Sequence, residues 1–264
     1  MIYITGDCHK DFTRLTSENF PEQGDMTRDD YVIISGDFGG VWWNHCDTRA
    51  SVDRFDLNWL QDKPFTTLFV DGNHENFDEL YQYPIKEWKG GKVREIRPNV
   101  LHLMRGEIYE LSGKKIFTFG GARSHDIRDG IIEWDKDGHW KKTARQWEEE
   151  GKIFRVNHWS WWEQELPTQD EIDNAYKNLE QHNYEVDYII THCCSNIALK
   201  AYFDKKLQDM PGKYAYEDRN ILTNFFDDID AKVQFKKWIF GHHHDDISIS
   251  DKYIMLYYQI VRIA

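Results

Sequence analysis

Five short runs constrain what this 264-residue chain can fold into: IYITGD at 2–7, YVIISGD at 31–37, TLFVDGNH at 67–74, DYIITH at 187–192 and WIFGH at 238–242. Each is apolar, rich in β-branched residues, and closes on Gly, Asp, Asn or His. They are too short for helices and too uniformly apolar for strands with one wet face, so they predict strands buried on both faces. In open α/β sheets the loops leaving the carboxyl ends of such strands form the ligand crevice. Those exits expose Asp7, His9, Asp37, Asn73, His74, His192, His242 and His244, each offering an oxygen or an imidazole nitrogen. One histidine after a strand is ordinarily a surface or core residue, whereas eight such groups at five exits form a constellation.

Helical patterns lie between the runs. Thr168 and Glu171 make a capping box, followed at helical spacing by Ile172, Ala175, Tyr176 and Leu179. Segments 47–62 and 219–230 read similarly, the second through Ile221, Leu222, Phe225, Phe226 and Ile229. From Val100 to Gly120 the pattern is of short strands, LHLM, IYEL and KIFTFGG, and the tail KYIMLYYQIVRI adds one or two more. Residues 123–166 differ: polar, charged, with six tryptophans and one weak helix near 140–150. With no repeat and no low-complexity linker, residues 1–264 read as a single domain carrying this Trp-rich insert near the active site.

Composition narrows the function classes. A formal net charge of −13 disfavours extended nucleic-acid binding, which depends on Lys and Arg neutralising phosphates. No run approaches the ~20 apolar residues of a membrane span, so no membrane partner is expected. The start MIYITGD reads as a strand and not a leader, so a cytoplasmic protein is expected. Cys8, Cys46, Cys193 and Cys194 contain no CxxC and read as reduced thiols, with recruitment of Cys8 or Cys193 by a soft metal as the minor alternative. Aromatic residues reach 15%, enough to predict rings lining a cleft.

Carboxylate, amide oxygen and imidazole without thiolate suit divalent Mn, Fe, Zn, Co or Ni better than a structural Cys-rich zinc site. Seven donors are too many for one tetrahedral ion and about right for two ions ~3.5–4 Å apart that share a carboxylate. GDCH at 6–9, GDFGG at 36–40, GNHE at 72–75, TH at 191–192 and GHHH at 241–244, in that order, resemble the five motifs of the calcineurin-like metallophosphoesterases. The resemblance spans residues 1–244. It implies a mixed α/β fold, a four-layer αββα sandwich of two mixed sheets flanked by helices. It further implies two divalent metal ions, Mn favoured, one held by Asp7, His9 and His244 and one by Asn73, His192 and His242, with Asp37 bridging. The implied activity is hydrolysis of a phosphomonoester or phosphodiester through a metal-bridging hydroxide, with His74 as proton donor to the leaving oxygen.

The chain also departs from that pattern. The family's second motif reads Gly-Asp-x-x-Asp, and its last Asp orients the catalytic histidine, but Gly40 stands there. Asp71 or Glu75 would have to orient His74 instead, or His74 contributes less. GGARSHDIRD and WWEQE are similar to a bacterial and phage branch of the family whose substrates are mostly unknown. Arg123, His125 and Arg128 are candidates to grip a phosphate, with ordinary loop charge as the alternative. Trp159, Trp161 and Trp162 offer a stacking platform or lid, or else a plug or a dimer contact. The substrate stays open among small-molecule, nucleotide and phosphoprotein esters, so nucleotide phosphodiesterase, nuclease and protein phosphatase are not separated. The competing class is a catalytically weak or inactive binding scaffold on the same fold. In GHHH, an extended segment would point His242 and His244 one way and His243 the other, giving two ligands and a bystander. Oligomeric state is not legible.

Overall fold

The computed structural model describes residues 1–44, 46–206 and 219–264. Its elements run β1 (Ile2–Thr5), β2 (Tyr31–Ile34), α1 (Ala50–Gln61), β3 (Thr66–Phe69), α2 (Phe77–Leu80), β4 (Ile85–Trp88), β5 (Gly91–Arg97) and β6 (Val100–Leu103). Then come β7 (Glu107–Leu111), β8 (Lys114–Phe119), β9 (Gly130–Ile132), α3 (Trp140–Glu149), β10 (Phe154–Val156), α4 (Gln169–Gln181) and β11 (Tyr188–Thr191). The chain continues through α5 (Asn196–Lys206), α6 (Ile221–Lys232), β12 (Lys237–Phe240), β13 (Ile247–Ser248), β14 (Tyr253–Met255) and β15 (Ile260–Arg262).

The first sheet has the order β15-β1-β2-β3-β6-β5-β4 and the second β13-β14-β12-β11-β8-β7. Each has four parallel central strands with antiparallel neighbours at its edges. Alternation along a strand explains why the five runs are apolar throughout. Ile2, Ile4, Ile33 and Leu68 point inward and meet Tyr109, Ile116, Ile190 and Ile239 of the second sheet. Tyr3, Val32, Ile34 and Phe69 point outward, under Leu57 and Leu60 of α1. Phe117, Ile189, Trp238 and Phe240 face outward on the other side, beneath Ile172, Ala175 and Leu179 of α4 and Phe225, Phe226 and Ile229 of α6. Each Ile, Leu, Val or Phe side chain among them is worth about 1.5–3 kcal/mol buried against exposed. The layering is the αββα sandwich of two mixed sheets that the motifs implied.

The expected helices appear as α1, α3, α4 and α6, and α4 carries the reciprocal capping box of Thr168 and Glu171. Several features were not anticipated. The β4–β5 hairpin escaped because it is an edge with wet residues, and α5 because its stretch lacks a clean apolar stripe. The tail divides: β14 joins the second sheet in parallel, and β15 crosses to pair antiparallel with β1. Within the insert, β9 and β10 pair in parallel and, with α3, close a small core of Ile132, Ala144 and Val156 packed with Trp140, Trp147 and Phe154. No described helix is long and apolar enough to cross a membrane.

Candidate metal centre

Strands β1, β2 and β3 of one sheet and β11 and β12 of the other end at the same edge of the sandwich, and their exit loops knit together. The N–H groups of Cys8 and His9 donate to Asp37 O at 3.1 and 2.7 Å, and Gly241 N–H donates to His192 O at 3.0 Å. A Cβ on Gly241 would fall on Asp7 Oδ1 and one on Gly36 on the His192 ring, so only glycine lets these loops approach so closely. His9, Asp37, His242 and His244 all have positive φ, between 45° and 70°. Such backbone is costly for residues other than glycine and tends to be kept where a site requires it.

Asp7, His9, Asp37 and His244 place ligand atoms within 4.8 Å of one another. His9 Nε2 and His244 Nε2 stand 3.0 Å apart, converging on one point. Asp7 Oδ2 is 3.1 Å from His244 Nε2, while Asp7 Oδ1 accepts the His242 N–H at 3.0 Å. Beside this group, His192 Nε2 lies 3.2 Å from Asn73 Oδ1 and 3.4 Å from Asp37 Oδ1. The His242 ring packs edge-on to that of His192 at 5.0 Å, and its Nε2 is buried without a hydrogen-bond partner. The Asp37 carboxylate stands between the two halves, Oδ1 towards His192 and Oδ2 3.5 Å from His9 Nε2. All seven anticipated ligand residues are thus brought together. Convergent carboxylate, amide and imidazole donors with an orphaned buried nitrogen fit divalent ions.

The electrostatics bear on that fit. Burial alone would raise the Asp37 carboxyl, but His192, His74 and His9 outweigh it and hold it well below the usual carboxylate range. Against its own burial, His192 is pushed up to about 10 by Asp37 and Asp7. Its Nδ1 donates to Ser35 O at 2.9 Å, which leaves Nε2 as the atom to meet an ion. His244 is raised by its bond to Asp7, and burial depresses His9 and His242.

The GHHH division has a different cause from the one anticipated. The segment is not extended: β12 ends at Phe240, and left-handed backbone at His242 and His244 turns successive side chains apart. His244 joins Asp7 and His9, and His242 joins His192. His243 stacks on Tyr202 at 6.2 Å and on His125 at 6.4 Å, where burial lowers its pKa to about 4.

His74 donates its backbone N–H to Asp37 Oδ1 at 2.8 Å, and its ring meets that of His9 at 5.2 Å. Neither expected orienting residue serves it. Asp71 is bound to His102 at 3.0 Å and to Arg105, and Glu75 accepts the N–H groups of Phe38 at 2.6 Å and Gly39 at 3.2 Å. Gly40 admits no side chain readily, because a Cβ there would stand 2.6 Å from the Phe38 ring. The charges acting on His74 besides Asp37 and His9 are those of Arg155 and Asp126, an ion pair within the insert. Asp126 lies inside GGARSHDIRD, but nothing in that string distinguished it from loop charge.

The other insert candidates are scattered. The His125 ring packs 5.1 Å from that of His242, Arg123 is exposed, and Arg128 is 70% exposed and paired with Asp129 at 3.6 Å. Trp162 is a plug, 1% exposed, packed edge-on to Trp42 with its Nε1 donating to Asp78 at 2.7 Å. Trp159 stays on the surface against Trp43, and Trp161 continues the insert's backbone pairing at Asn157. A cavity of about 270 Å³ opens beside the centre, lined by His9, Lys10, Gly39, Trp42, Trp43 and His74. Asp53 holds that loop through the N–H groups of Trp42 and Trp43, both at 2.7 Å. Arg14, also not anticipated, donates to Asp7 O at 2.7 Å and to Tyr257 O, and the Tyr257 ring stacks on His244 at 4.6 Å.

Over 144 residues, 50% of its length, the chain is 25% identical to lariat debranching enzyme A of Xenopus laevis, of which 26% is covered. Over 145 residues it is 24% identical to the lariat debranching enzyme of Danio rerio and 26% identical to that of Gallus gallus, covering 24% and 25% of them. The chain is weakly homologous to lariat debranching enzymes. It spans about a quarter of the length of these curated relatives. No family model matches the chain.

Proposed function

We propose that this chain is a binuclear metal-dependent phosphoesterase that hydrolyses a phosphomonoester or phosphodiester, with the diester favoured by the resemblance to lariat debranching enzymes. The observation that carries the reading is the Asp37 carboxylate, whose two oxygens face two separate groups of donors. Asp7, His9 and His244 would hold one ion, Asn73, His192 and His242 the other, and Asp37 both. When bound, two divalent ions supply the charge that lowers the pKa of water and neutralises phosphoryl oxygens. Mn leads the candidates on donor chemistry. A place in the bacterial and phage branch rests on the insert motifs alone, and the insert acts with residues 1–264 as one unit.

The chain's own groups do the rest. His74 lines the cavity beside His9, within reach of an ester placed there. Burial depresses its pKa and so favours the neutral ring in the protein alone. The negative charge of a bound phosphate ester favours the imidazolium, which then donates its proton to the leaving oxygen. Trp42 and Trp43 give that cavity an aromatic wall suited to stacking the leaving group, and a nucleotide ester matches it.

The test is metal content and turnover together. Purified protein is expected to take up two Mn per chain and to cleave para-nitrophenyl phosphate or its bis ester. Asp37→Asn is expected to lose metal affinity and turnover by more than about 100-fold, beyond the loss usual for an outer partner of a metal ligand, while circular dichroism stays unchanged. A folded chain that takes up no metal and turns over neither ester would make this a binding scaffold, and an Asp37→Asn protein with full turnover would overturn the bridging role of Asp37.

A further inference from the structure

Two stretches of the insert, GGARSHDIRD and WWEQE, take no part in the ligand set, yet they meet directly behind one of its members. Ser124 donates its N–H to Glu165 Oε1 at 3.0 Å and its hydroxyl to Glu165 Oε2 at 2.6 Å. Asn73 Nδ2 donates to Ser124 Oγ at 3.2 Å, and Asn73 Oδ1 faces His192 Nε2 at 3.2 Å. Glu165, Ser124 and Asn73 are 1, 3 and 5% exposed, so water does not compete for these bonds. We infer that Glu165, acting through Ser124, fixes which end of the Asn73 amide faces the His192 side of the centre, and so positions the ligand of a divalent cation there. The inference rests on the metal reading proposed above.

The argument is one of hydrogen-bond polarity. The two ends of an asparagine amide have nearly the same shape, but only the oxygen can ligate a cation. A serine hydroxyl alone does not choose between them, because it can donate or accept. Here its single proton is committed to Glu165, so it meets Asn73 as an acceptor and must face the NH2 end. The oxygen is thereby turned towards His192 and Asp37. A flipped amide would set its oxygen against the lone pairs of Ser124 in a dry site, leaving a buried acceptor unsatisfied.

Glu165→Gln reverses this direction with almost no change of shape. The Ser124 backbone N–H still needs an acceptor and holds the glutamine oxygen, so the new NH2 faces Ser124 Oγ and donates to it. The hydroxyl proton then turns to Asn73, whose amide flips. Asn73→Asp has no wrong end, and its carboxylate accepts the redirected hydroxyl proton.

The experiment is Mn titration by calorimetry with elemental analysis, and circular dichroism to confirm folding. Wild-type protein is expected to bind two ions. Glu165→Gln should keep one and bind the other about 10–100-fold more weakly, the usual cost of losing an outer partner of a metal ligand. Adding Asn73→Asp to Glu165→Gln should restore the second ion beyond the level of Glu165→Gln alone, a rescue that a packing role for Glu165 would not produce. Ser124→Ala, which frees the amide without adding a donor, should weaken the same ion and serves if Glu165→Gln fails to fold. Wild-type affinity for both ions in Glu165→Gln and in Ser124→Ala, or no rescue in the double variant, overturns the inference. A wild-type chain that binds no Mn overturns the metal reading itself, and the inference with it.

Discussion

The two halves of the centre are built differently. The half formed by Asp7, His9 and His244 opens to solvent, with the His244 side chain 48% and the His9 side chain 32% exposed. The half formed by Asn73, His192 and His242 is recessed: the His192 side chain is fully buried, and Asn73 is locked from behind by Ser124. One half is thus held mainly by loop backbone, with Arg14 and the Tyr257 ring beneath it, and the other by packing between two sheets and the insert. An exposed site exchanges its occupant readily and meets substrate. A recessed one resists exchange but depends on every supporting bond, because an unpaired polar group there goes unsolvated.

The largest effect that follows is at the recessed half. His192→Ala is expected to abolish uptake of one ion and to lower thermal stability as well, since it leaves Asp7 and Asp37 facing each other without the imidazole between them. His244→Ala should cost the other ion, with little change in melting temperature. Equal thermal losses in the two variants would erase the contrast. In chelator challenge of the loaded protein, the exposed half should release its ion first, which timed elemental analysis would follow.

Next comes pH. Asp37 and Asp7 keep His192 protonated up to about 10 in the metal-free chain, so an ion entering the recessed half displaces a proton. Affinity there should weaken as pH falls, by up to about tenfold per unit for one displaced proton. Proton release measured during Mn titration checks the sign, and uptake with no release would break the account. A smaller effect is expected at the aromatic wall, where Trp43→Ala should raise KM for a nucleotidyl ester several-fold while leaving kcat and metal content near wild type. The smallest is at His243, which packs on Tyr202 outside both groups of donors. His243→Ala should change metal affinity less than either neighbour's substitution, and equal losses at His242, His243 and His244 would dissolve the division between the halves.

Legibility followed local chemistry. The candidate ligand residues stood out because each sits at the end of a doubly buried strand, where a polar group is conspicuous after an apolar run. Thr168 and Glu171 could be read because a capping box is a local pattern. The partners behind the site could not. Glu165 and Ser124 are 41 residues apart and resemble ordinary loop residues until they meet. Asp71 and Glu75 looked available for His74, but the fold commits the first to Arg105 and His102 and the second to the loop at Phe38 and Gly39.

The sequence by itself determined the five doubly buried runs and the set of donors at their ends, because these depend on periodicity and residue type along the chain; the sandwich was implied only by the resemblance of the motifs. Only the tertiary structure decided how exposed each half of the centre is, that Gly40 is crowded by Phe38, and that the insert reaches back to Asn73. The reason is physical: strands buried on both faces look alike in either sheet, and the direction of a buried hydrogen bond is set by its last partner, however distant along the chain.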